Sequence, residues 1–136
     1  MKRILRSHLL AMGALFSLAS AARAQALGGH THSAPHGGEV VEFAENHVEF
    51  KADSSGVIMV WLLDSHEKTI APPRSGSVTL VPEGQGQSTI PLHVGAASQA
   101  LVGRFDPAKF TAFQAVVSLP IAGKRHNFRF HYPAHH

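Results

Sequence analysis

Cysteine is absent from the 136 residues, and methionine (three), tryptophan (one) and tyrosine (one) are scarce. Without a thiol there is no disulfide framework, no thiolate zinc site, no blue-copper ligation and no cysteine nucleophile. Helical periodicity is missing too: beyond the first two dozen residues, no stretch of ten or more repeats its apolar positions every three to four residues, so a helical domain is not expected. Gly-rich phosphate loops, nucleophile elbows and paired carboxylates in apolar settings are also lacking, which argues against an enzyme.

Only one long apolar run occurs, Leu9 to Ala22, preceded by Lys2, Arg3 and Arg6 and followed by Ala22-Arg23-Ala24. That layout is a secretory signal peptide over residues 1–24, and the run is shorter than the roughly 20 residues of a membrane-spanning helix. A periplasmic protein with no membrane span after signal removal is therefore expected. Loss of Lys2, Arg3, Arg6 and Arg23 leaves eight basic residues against nine acidic ones. The high sequence pI thus reflects the leader, and no basic stripe with interleaved aromatics remains to bind nucleic acid.

The remainder is long enough for one domain with its own core. Residues 25–38 are small, polar and Gly-rich, which predicts a flexible His-rich leader. From Glu39 onward, period-two runs alternate with turn residues, the mark of strands. Strands are expected at 39–43, 47–52, 57–63, 77–81, 88–94, 100–105, 112–119 and 126–132, with one helical turn possible at Asp106-Pro107-Ala108-Lys109. Within 47–52, alternation sends Val48 and Phe50 inward and His47, Glu49 and Lys51 outward. The strand 57–63 is apolar on both faces, with Trp61 read as the large core residue, and Pro91 suggests an edge strand. The expected class is all-β: an antiparallel two-sheet β-sandwich of immunoglobulin-like type over residues 39–133, with a small β-barrel as the alternative. Residues 134–136 form a short tail.

What the chain has in abundance is histidine, ten of its eleven lying beyond residue 24. Four of them, His30, His32, His36 and His47, share the stretch 30–50 with Glu39, Glu42, Glu45 and Glu49. Imidazole and carboxylate together are the donor set that borderline divalent metals prefer. His30, His32 and His36 are spaced so that a flexible chain can wrap an ion, and His47 and Glu49 are expected as neighbours on one strand face. His131, His135 and His136 are read as exposed polar residues, and His66, His93 and His126 receive no function.

These residues also suggest a family. Pro35-His36-Gly37-Gly38, then His47-Val48-Glu49-Phe50, then Gly56 and Ile58-Met59-Val60-Trp61-Leu62-Leu63-Asp64 resemble small exported "His-Gly-Gly" metal-handling domains associated with bacterial heavy-metal efflux systems. The resemblance covers roughly residues 35–80 by motif and implies that His36, His47 and Glu49 form the folded part of a metal site. It also implies binding of copper, zinc, nickel or cobalt, for buffering or delivery, with the periplasmic adaptor of an efflux complex as a partner. One departure is that Met59 is the single methionine after the leader, so a soft methionine-rich site is not expected. The competing expectation is a non-catalytic interaction or assembly module whose histidines are incidental.

Overall fold

The structure is a computed structural model that describes residues 33–134. The expected signal peptide, His30, His32 and the terminal His135-His136 lie outside the described residues. Within them the chain forms β1 (Glu39–Phe43), β2 (Asn46–Ala52), β3 (Val57–Leu63), β4 (Thr69–Ile70), β5 (Ser75–Val81), β6 (Ser88–Val94), β7 (Leu101–Arg104), β8 (Phe113–Ile121) and β9 (Lys124–Tyr132). All pairings are antiparallel, in the order β1-β2-β3-β7-β6-β5-β8-β9, with the two-residue β4 beside β3.

The all-β expectation holds. One continuous sheet curls until its two halves face each other across the main core, and it nearly closes as a barrel. Phe50 of β2 stacks on Phe130 of β9 with ring centroids 5.0 Å apart, which places opposite ends of the strand order in contact. Alternation supplies the filling: Phe113, Ala115, Val117 and Leu119 of β8 are all buried, and the residues between them are not. The seam between β1 and β9 carries no ladder. It is joined by side chains, the Glu39 carboxylate accepting the His131 N–H at 3.2 Å and Phe43 lying on His126 and Phe128.

Local chemistry explains the turns. Ala122 and Gly123, with φ of 50° and 78°, form the two-residue link between β8 and β9, the twist that such hairpins favour. The Phe110 N–H bonds to the Asp106 carbonyl at 2.9 Å, making the single turn expected there. Two expectations change. Pro91 is not on an edge strand, because β6 runs between β5 and β7; but β7 pairs only with His93 and Val94, so no strand pairs with Pro91 on that side. Trp61 is buried, yet not in the main core: with Leu63 and Ala100, and with Met59 and Val102 against them, it forms a second apolar cluster. Both faces of β3 are therefore covered, and what covers the Trp61 side is the segment before β1.

Candidate functional site

That segment is shaped by its own residues. The Gly37 N–H bonds to the Ala34 carbonyl at 2.9 Å, closing a four-residue turn with Pro35 second and Gly37 last, the positions such turns favour for proline and glycine. Gly37 has φ of +76°, a conformation side chains resist. At Gly38 the requirement is space, since a Cβ there would sit 2.3 Å from the Phe50 carbonyl oxygen. The two glycines thus let the chain reverse and lie directly on β2.

Glu49 holds it there. This carboxylate is fully buried, opposite Trp61 in the β2–β3 ladder. Oε1 accepts the N–H groups of His36 (3.0 Å) and Gly38 (2.9 Å), and Oε2 lies 2.8 Å from His36 Nδ1. The His36 ring stacks on Trp61, with centroids 4.1 Å apart and planes within 1°. Further grips come from Lys51, whose Nζ donates to the His36 carbonyl at 3.2 Å, and from Glu67, whose Oε1 accepts the Ser33 N–H at 3.0 Å. Residues 33–38 are consequently docked on the sheet, which corrects the expectation of a flexible leader reaching Gly38.

The expected outward face of β2 is corrected as well. Alternation does separate Val48 and Phe50 from His47 and Glu49, but the second set is also buried, because the docked segment and Trp61 cover it. Lys51 alone of the three stays exposed. Glu49 is therefore an internal anchor whose two oxygens are both engaged, not an open metal ligand. His47 points elsewhere, with Nδ1 3.0 Å from the Asp64 carbonyl and Nε2 3.9 Å from Glu42 Oε1. Among the described residues, no three His, Asp or Glu side chains are placed to hold a metal ion together. The trio His36, His47 and Glu49 is thus not a preformed three-ligand site.

What the arrangement does create is one oriented imidazole. An ionised carboxylate only accepts hydrogen bonds, so the Glu49 contact keeps the proton of a neutral His36 ring on Nδ1. Nε2 then carries the lone pair. It accepts the Thr69 hydroxyl at 3.3 Å. A carboxylate behind one ring nitrogen, fixing which nitrogen carries the lone pair, is how metal-binding histidines are commonly supported.

The turn that precedes Thr69 is held by its own hydrogen bonds. Asp64 Oδ1 accepts the N–H groups of Lys68 and His66, and these bonds, Lys68 foremost, hold the Asp64 carboxyl below its ordinary range. Trp61, Thr69, Lys51 and Glu67 complete the site and carried no ligand signal in the sequence. Comparison with family models, curated proteins and solved structures gives no match, so the resemblance to His-Gly-Gly domains rests on its motifs alone.

Proposed function

We propose that the chain is a periplasmic metal-binding protein that buffers or delivers a divalent transition-metal ion, copper, zinc, nickel or cobalt, in connection with heavy-metal efflux. The observation that carries this reading is the 2.8 Å contact between Glu49 and His36 Nδ1, which orients Nε2 as a lone-pair donor. His36 is the fixed ligand. His30 and His32, six and four residues upstream in the sequence, bring two more imidazoles within reach of a short chain, whose closure around an ion has a modest entropic cost. Glu49 does not touch the ion but fixes the orientation of the ring that does. The periplasmic adaptor of an efflux complex is the partner this reading implies.

A second reading has its own support. Every buried side-chain polar atom among the described residues already has a partner, so the Glu49–His36–Trp61 assembly also serves as a plain structural latch in an interaction module.

Calorimetric titration of residues 25–136 with Zn²⁺, Cu²⁺, Ni²⁺ and Co²⁺ separates the two. Metal handling requires submicromolar binding of at least one ion, weakened at least tenfold by His36→Ala and by the double substitution His30→Ala/His32→Ala. The double variant matters because it leaves the latch untouched. Binding unchanged in both variants, or no binding at all, supports the interaction module.

A further inference from the structure

We infer that the hydroxyl of Thr69, on β4, is a site of covalent acylation, activated by His36 as general base with Glu49 behind it. The inference goes beyond metal binding and does not depend on it, since it uses only the metal-free arrangement of described residues.

Three side chains from three parts of the chain line up. The ladders set Glu49 opposite Trp61 and Thr69 opposite Leu63, and side chains that are opposite, or two apart along a strand, share a face. Glu49 and Thr69 therefore lie on the face that carries the docked segment, with the His36 ring stacked there on the indole. Glu49 Oε2 is 2.8 Å from His36 Nδ1, and Thr69 Oγ1 is 3.3 Å from Nε2. A carboxylate, an imidazole and a hydroxyl in that order form the relay that makes a weak alcohol nucleophilic, recognised by geometry rather than by chain order. The contact between hydroxyl and base is often this loose before a substrate binds.

The surroundings hold each part in its role. Glu49 is fully buried, and its Oε1 accepts the His36 and Gly38 N–H groups, so the carboxylate is kept against the ring. The Trp61 stack sets the plane of the imidazole, and the pairing of Thr69 with Leu63 sets the position of the hydroxyl. The His36 side chain is 28 % exposed and Thr69 is half-buried, so a small acyl donor reaches the hydroxyl from solvent.

The reagent class is an activated ester. Thr69 Oγ1 attacks its carbonyl carbon while the hydroxyl proton passes to Nε2; the bond from that carbon to the leaving oxygen then breaks, and the proton moves on to the departing oxygen. The products are an acyl ester of Thr69 and a free alcohol or phenol, and Glu49 stabilises the imidazolium formed in between. A metal ion on Nε2 takes the same lone pair, so the two uses exclude each other in one molecule.

The probe is p-nitrophenyl acetate, added to residues 25–136 in the presence of EDTA, with the product read by intact mass and peptide mapping. The expected result is one hydroxylamine-sensitive acetyl group on Thr69, formed at least tenfold faster than in His36→Phe, which keeps a ring on Trp61 but has no base. Thr69→Val is expected to lose this adduct with Trp61 emission unchanged, and Thr69→Ser, a less hindered hydroxyl, to retain it. Absence of an acetyl group from Thr69, acetylation confined to lysines, or an adduct formed equally fast in His36→Phe overturns the inference. None of these outcomes bears on the metal titrations, which use the same protein without EDTA.

Discussion

The imidazole of His36 lies flat on the indole of Trp61, their centroids 4.1 Å apart. Trp61 is the only tryptophan in the chain, so its fluorescence reports directly on whether this stack is formed. His36→Ala is expected to shift the emission of Trp61 to longer wavelength, because removing the ring admits water to an indole that is now only 5 % exposed. Steady-state emission checks this, with iodide quenching as a second measure. Unchanged emission and unchanged quenching would show that something other than His36 shields the indole.

Glu49 is expected to matter more for stability than any other charged residue. Glu49→Ala removes the acceptor of two backbone N–H groups and one ring nitrogen at once. An unsatisfied buried donor costs about 1–3 kcal/mol, but residues 33–38 can lift into water and limit the loss, so about 2–4 kcal/mol is expected in urea unfolding. Glu49→Gln keeps one acceptor oxygen and should lose roughly half as much. Equal effects of the two variants would mean that the charge is what holds the segment.

The adjacent glycines separate space from conformation. Gly38→Ala forces a methyl against the Phe50 carbonyl, a backbone atom that cannot swing away, and is expected to cost about 2–4 kcal/mol and loosen the pairing of β1 with β2. Gly37→Ala meets only the tip of Lys51 at 3.9 Å, so its cost is the left-handed backbone alone, about 1–2 kcal/mol. Chemical denaturation of the two variants side by side checks the order. A larger loss at Gly37 would contradict the close approach of Gly38 to β2.

Acid sensitivity follows from two turns. The Asp64 carboxyl is lowered chiefly by the Lys68 N–H, and the Asp53 carboxyl chiefly by the Ser55 hydroxyl, then by the Val57 N–H. A carboxyl lowered by folding contributes stability above its unfolded value of 3.8 and loses it as pH falls through the lower folded value. Melting temperature is therefore expected to decline as pH drops below about 4, and the double substitution Asp53→Asn/Asp64→Asn should flatten that decline. Asp53 is exposed and Asp64 only half-buried, so the effect is expected to be small and weaker in high salt. A decline of the same slope in the double variant would assign it to other carboxylates.

The strands are legible in the sequence because they alternate, and alternation is what a half-buried strand requires. The same pattern misplaces Glu49: alternation says which side of β2 it occupies, not whether that side is covered. The signal that corrects it lies in β3, whose apolar residues on both faces demand a cover. Glu49 sits directly across from Trp61, so whatever covers the indole covers the carboxylate too. His36 stands out as the pivotal histidine, yet its anchor to Glu49 depends on the Gly37 reversal, a long-range fit that spacing alone does not reveal. β4 leaves no trace in the pattern because two residues are too few to carry a period.

The Glu39–His131 contact also bears on the behaviour of the protein in concentrated solution. Along the seam between β1 and β9 the nearly closed sheet presents unladdered backbone, and there an acidic side chain already occupies a strand N–H. A strand from another molecule seeking to extend the sheet would have to displace that carboxylate and then accept its charge beside the new ladder, a barrier to edge-to-edge aggregation supplied by a single residue.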